Sequence, residues 1–150
     1  MAGCCSGFEG TFLEVHTGVN PDPTAGVPAD GIEWKKVGHL REYEPPDDSP
    51  DVEDTTDADG RAVCAITKTD VAARGVVGKC VSDAGQQEMV TAQLNREKRW
   101  YRSTLADNDR QAFIALTMFP VQRGNPRASF ARNFELRVDG DITHSTYTPA

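Results

Sequence analysis

The sequence predicts a mainly β chain with one flanking helix, folded as an antiparallel sandwich or small barrel. Three observations carry that prediction. About seven short β-prone segments are divided by Gly-, Pro-, Asn- and Asp-rich turns. A single segment carries a helix-capping signal. The C-terminal third alternates apolar and polar residues with a period of two. The 150 residues suit one domain spanning 1–150, since domains hold roughly 100–200 residues. A chain of this size buries roughly 70% of its unfolded surface and needs no metal or disulfide to fold.

Residues 1–10 read as an N-terminal arm, and Thr11–His16 as a short strand with Leu13 and Val15 on one face. Gly18–Gly31 is rich in Pro, Gly, Asn and Asp and reads as a loop. Glu33–Leu40 is a strand candidate carrying Trp34 as a core anchor. Arg61–Thr67 and Gly75–Val81 are strand candidates flanking a turn at Thr69–Arg74. Asp83 stands three residues before Gln86, a capping-box spacing, and Met89, Val90 and Leu94 then supply an apolar helix face to about Asn95. Arg99–Leu105, Phe113–Val121 and Ser129–Val138 follow as strands. In the last, Phe130, Phe134, Leu136 and Val138 share one face while Ala131, Asn133, Glu135 and Arg137 share the other. Phe130, Phe134 and Leu136 are therefore expected core anchors, with Arg132 breaking the alternation.

Charge is concentrated in one place. The chain carries a net −7 with a pI near 4.9, the wrong sign for a protein that grips nucleic-acid phosphates. Residues 41–60 hold nine acids against the single base Arg41, a net −8, so the other 130 residues sum to +1. Pro45, Pro46 and Pro50 remove backbone donors, and like charges repel. The stretch therefore reads as an extended acidic loop, neither helix nor central strand. A loop of that length inside a compact domain is functional or disordered. Its most similar alignment to an EF-hand puts Thr55 first and Ile66 twelfth, without the carboxylates both positions need, so an EF-hand is excluded.

The chemistry-bearing residues are sparse. Cys4, Cys5, Cys64 and Cys80 form no CxxC and have no zinc spacing to His16, His39 or His144. They read as semi-buried thiols of a reducing compartment, with a Cys64–Cys80 bridge open if their strands are neighbours. Phosphate-binding, nucleophile-elbow and zincin motifs are absent. The run Arg96–Arg102 could stack on bases but reads better as the start of a strand, with packed aromatics and paired bases. No catalytic residue, cofactor site or metal site is expected, and the chain reads as a non-enzyme. Apolar runs fall far short of the ~20 residues that span a bilayer. The first residues carry neither a basic nor an apolar signal-peptide region.

The order of elements resembles that of the major tail tube proteins of long-tailed phages and phage-like gene transfer agents. The resemblance is carried by an N-terminal strand and loop leading to Trp34–Val37, then an acidic Pro-containing stretch ending in Val52-Glu53-Asp54-Thr55-Thr56. Ala62–Ile66 and Val76–Val81 follow, then the helix around Gly85-Gln86-Gln87, the Arg110–Pro120 strand, Phe130–Val138 and the closing Gly140-Asp141-Ile142-Thr143. It implies a β-sandwich protomer, six to a ring, with rings stacked into a virion tail tube assembled in the host cytoplasm. DNA would pass through the lumen without specific binding. The partners implied are identical copies, a tape measure, a tail terminator and a baseplate or tip, with no membrane and no cofactor. The long loop would bridge to the adjacent ring, which maps the contact residues onto Tyr43, Glu44, Asp47, Asp48, Asp51, Glu53, Asp54 and Asp57. The alternatives are a tail terminator, head–tail connector or capsid decoration protein, or a soluble binding module using the acidic stretch.

Overall fold

A computed structural model describes residues 10–47, 51–56, 60, 62–67, 71–80, 82–119 and 131–148, with backbone alone along 51–56 and 62–67. Its strands are β1 (Phe12–His16), β2 (Trp34–Val37), β3 (Leu40–Glu44), β4 (Asp51–Thr56), β5 (Ala62–Thr67), β6 (Ala72–Gly78), β7 (Lys98–Thr104), β8 (Asp109–Met118), β9 (Ala131–Val138) and β10 (Thr143–Thr146), with one helix, α1 (Ala84–Leu94). The main sheet runs β2-β1-β7-β8-β9-β6-β3, with β10 also paired to β8. Every pairing in it is antiparallel. The two ends of that path, β2 and β3, are joined by Gly38 and His39 alone. Two linking residues reach no more than about 10 Å, so the end strands lie close together and the sheet curls into an open barrel. The mainly β class with one helix is the one the sequence predicts.

Helix α1 sits at the seam of this barrel. The Asp83 carboxylate caps the helix by accepting from Gln86 N at 3.0 Å, and also accepts from Gly38 N at 2.9 Å. Gln86 departs from the capping-box expectation. Its side chain is buried and accepts from Cys80 N at 3.1 Å while donating to the carbonyls of Gly38 and Gly78 at 2.9 and 3.0 Å. One amide thus satisfies three backbone groups that the curling sheet leaves without ladder partners. Gly85 brings the helix backbone against β2: a Cβ there would stand 2.6 Å from Val37 Cα. The buried helix face is Gly85, Gln86, Met89 and Ala92. Leu94, expected on that face, is instead 76% exposed, because the face that meets β2 begins at Gly85 and the 3.6-residue period carries Leu94 off it.

The core fills the inside of the curl. Leu13, Val15, Val37, Tyr101, Phe113, Ala115, Phe134, Leu136 and Met89 form one cluster. Phe134 and Leu136 are thus the core anchors the alternation predicts, and Phe130 lies outside the described residues. Trp34 is buried, but on the opposite face of the sheet, in a second cluster with Trp100, Ala112 and Ile114. This is why six consecutive residues of β7 are buried: a strand covered on both faces has no wet side.

Three expectations need correction. Residues 41–60 are not one extended loop: β3 takes in their first four residues, and Asp51–Thr56 form β4, paired with β5 from Asp51↔Thr67 to Thr56↔Ala62. The acids and prolines confine this segment to a separate two-stranded ribbon, which needs no donors from a central sheet position. The Thr69–Arg74 turn gives way to β6 from Ala72, because long-range pairing with β3 and β9 overrides local preference. Finally, Cys80 is not a thiol; it is disulfide-bonded, to a partner outside the described side chains.

Candidate functional site

The acidic stretch reaches the main sheet through β3. Its residues pair with β6, Glu42↔Val76, Tyr43↔Gly75 and Glu44↔Arg74, and β6 pairs onward with β9, Val76↔Asn133, Gly75↔Phe134 and Arg74↔Glu135. Alternation then divides these rows between two faces. On the inner one, Gly75 gives up its side-chain space to the Phe134 ring, since a Cβ there would meet that ring at 2.5 Å and Glu42 O at 2.6 Å. Tyr43 packs against the main core and its hydroxyl is buried. Burial raises its pKa above the usual phenol range, with the facing Ser103 hydroxyl opposing weakly; the two oxygens do not reach hydrogen-bonding geometry. Tyr43 is therefore core, not a solvent-facing contact. The outer face is polar and open: Glu42, Glu44 and Asn133 are exposed, and Arg74 bridges Glu135 at 2.9 Å. These residues line a hollow of about 550 Å³.

Of the other expected contact residues, Asp47 is exposed beyond the buried Pro46. Asp51, Glu53 and Asp54 lie on β4, described by backbone only, and Asp48 and Asp57 lie outside the described residues. Among the described residues, the ribbon that carries the acids pairs with no strand of the main sheet. An isolated two-stranded ribbon is marginally stable in water.

A second groove, of about 430 Å³, lies at the other end of β6. Lys79, Cys80, Gln86, Gln87, Val90, Thr91 and Arg132 line it. Among its described residues the charged ones, Lys79 and Arg132, are both cations. The Arg132 guanidinium also stands 5.0 Å from the Phe119 ring centroid, which accounts for a basic residue on the apolar side of β9.

The basic-aromatic run is structural. Trp100 and Tyr101 are buried. Arg99 bonds Glu88 at 2.8 Å and Glu97 at 2.9 Å and donates to Thr17 O at 3.0 Å, and Lys98 pairs with Asp139 at 2.7 Å. Arg102 grips Glu14 through two 3.0 Å bonds, pairs with Asp30, and stacks 4.3 Å from the Trp34 ring. Trp34 Nε1 donates to Ala29 O at 3.2 Å. Together these hold the 17–33 loop over the outer cluster. Glu14 and Asp30 sit in separate segments with no motif linking them, so sequence spacing carries no sign of this network. Among the described residues, no group of three or more His, Cys, Asp or Glu is placed to hold a metal ion, and no helix is long and apolar enough to cross a membrane.

These features define a curled antiparallel sheet with a seam helix, an acidic end and an appended ribbon. No protein-family model matches the sequence, and no curated protein matches it. Solved structures share the fold. A chain in the tail of an empty gene transfer agent particle, refined helically with C6 symmetry, superposes with a TM-score of 0.66 at 9% identity, covering 95% of this chain and 100% of that one. A chain of the native gene transfer agent virion gives 0.64 at 9% identity over 95% and 100%. The tube-terminating cap of the anti-feeding prophage gives 0.58 at 13% identity over 98% and 95%. What this chain has in common with them at such identities is the fold.

Proposed function

We propose that this chain is a structural subunit of a phage-type tail, forming hexameric rings that stack into a tube through which DNA is delivered. The observation that carries this reading is the mutual coverage with the C6-symmetric tail chain, 95% of one and 100% of the other. The shared fold takes in nearly all of the residues compared on both sides. The role is structural rather than catalytic, and the protein's place is the virion tail. Its partners are identical copies first, then the other proteins of the tail.

The physics of the chain supports self-assembly. A two-stranded ribbon that, among the described residues, pairs with no strand of the main sheet gains stability by docking on a neighbour. Among the described residues β10 pairs only with β8, and its four residues are exposed, an edge of the kind assemblies use. Head-to-tail contacts between identical subunits close into rings or propagate as filaments. The negative balance of the chain suits a wall past which DNA slides without sticking.

The test is negative-stain microscopy of the purified protein over a concentration series. Rings and rods are expected; a monomer at every concentration, with or without a tail initiator, overturns the reading. The likeness to a tube-terminating cap favours a second reading, a terminator. That protein would stop at a single ring.

A further inference from the structure

Helix α1 ends in a turn built around an arginine. The Arg96 amide donates to Gln93 O at 3.1 Å and the Glu97 amide to Ala92 O at 2.9 Å, the two bonds of a Schellman turn. Such a turn needs a left-handed residue just past the cap, and glycine normally fills that position. Here Arg96 fills it, at φ 54°, against the steric preference of any residue with a Cβ. A cation near a helix C-terminus gains from the dipole. One at position 95 would gain as much on an ordinary backbone, since Asn95 has φ −91° and ψ −1°. Local stability therefore does not account for Arg96. Two positions earlier stands the exposed Leu94. Five large apolar side chains are exposed among the described residues, Val19, Val27, Ile32, Leu94 and Met118, and only Leu94 has a cation within two positions. Glu97 and Lys98 already pair with Arg99 and Asp139, whereas Arg96 enters no ion pair among the described residues.

The hollow on the outer face of β3, β6 and β9 has the opposite character. Its wall holds Glu42, Glu44, Glu135 and Arg74. Arg74 is engaged by Glu135. Glu42 and Glu44, two residues apart on the end strand β3, are exposed and have no cation paired to them among the described residues. Half-buried Val76 lies between Glu42 and Asn133 in the cross-strand row and gives the hollow an apolar floor.

We propose that the turn between α1 and β7 of one copy seats in this hollow of the next, with Leu94 on Val76 and Arg96 between Glu42 and Glu44. A second copy is the occupant because both sides match in charge and surface. The turn offers an exposed apolar side chain beside an unpaired guanidinium, and the hollow offers an apolar floor beside two unpaired carboxylates. Guanidinium–carboxylate bonds are charge-assisted and directional, so they fix register as well as attraction. Turn and hollow are different parts of the surface, which makes the contact heterologous. Each copy gives one and receives one, and the series closes into a ring or continues as a filament. The inference rests on the self-assembly proposed above and adds the residues of one contact.

The test uses full-length protein, with assembly read by sedimentation and microscopy over a concentration series and Tm read on dilute protein. Arg96→Glu and Glu42→Lys/Glu44→Lys should each raise the concentration for half-maximal assembly by roughly tenfold or more. Combined in one chain they exchange the charges of turn and hollow, and assembly should return towards the wild-type concentration. Arg96→Gly separates the contact from the fold. Glycine suits the left-handed turn, so Tm should rise by roughly 2–4 °C while assembly weakens. If wild type never assembles, the tail-tube reading fails and this contact with it. Suppose instead that wild type assembles, and either charge-reversed variant or Arg96→Gly assembles equally well, or the combined variant regains nothing. The contact is then overturned while the tail-tube reading stands.

Discussion

The Gln86 side-chain amide donates to the Gly38 carbonyl at 2.9 Å, tying the first turn of α1 to the two-residue link between the end strands of the sheet. The same amide group also reaches Gly78 O and Cys80 N.

Gln86→Ala would leave those three groups without partners in a buried site. Each would then bear an uncompensated desolvation penalty, and a total cost of about 3 kcal/mol is expected. For a chain of this size that lowers Tm by roughly 6–12 °C. Thermal unfolding of dilute protein measures it, and an unchanged Tm would mean that the seam is held by packing alone.

Gly85→Ala tests the close approach of helix and strand. Helix propensity alone favours Ala by about 1 kcal/mol. The new Cβ would stand 2.6 Å from Val37 Cα, a contact between backbones with no flexible side chain to move aside. Net destabilisation of about 2 kcal/mol is expected by chemical denaturation. A stabilised variant would contradict the packing of α1 on β2.

His16 makes stability depend on pH. Burial lowers its pKa below 6.5; Glu33 opposes that, and Arg99 and Arg102 add to it. The neutral imidazole accepts Gly18 N–H at Nδ1, 3.0 Å away, with its ring edge against Trp34. The unfolded chain takes up the proton first, so this contribution is complete above the unfolded pKa and is lost as pH falls towards the lower folded one. Denaturant midpoints between about pH 7.5 and 5.5 should fall more for wild type than for His16→Asn; parallel profiles would remove His16 from the account.

Excising residues 48–69 and joining the ends with a short Gly/Ser linker should leave the protomer folded. β3 and β6 are antiparallel neighbours, so a short connection spans them, and among the described residues β4 and β5 pair only with each other. With reductant present in both samples, to take the Cys80 disulfide out of the comparison, Tm should stay within a few degrees of wild type. A collapse of Tm would mean that the ribbon belongs to the core. Loss of rods with the fold intact is the expected outcome under the proposed function.

Much of the fold is legible locally. The alternation over 131–138 places Phe134 and Leu136 inside, and Asp83 caps the helix where the spacing predicts. The basic-aromatic run around Trp100 is a strand whose charges find carboxylates. The acidic stretch is only half legible, because prolines and repelling acids argue against a sheet interior yet allow a two-stranded ribbon. Trp34 is read correctly as buried, but the face it joins depends on a loop that returns across the sheet.

By itself, the sequence determined the mainly β class, the single helix with its cap, and the concentration of negative charge between residues 41 and 60. Those properties depend on neighbouring residues, through dihedral preference, side-chain period and like-charge repulsion. Only the tertiary structure decided that the end strands of the sheet meet and that Gln86 closes their seam. Those relations join residues dozens of positions apart, where pairing and burial across the sheet, rather than local preference, carry the free energy.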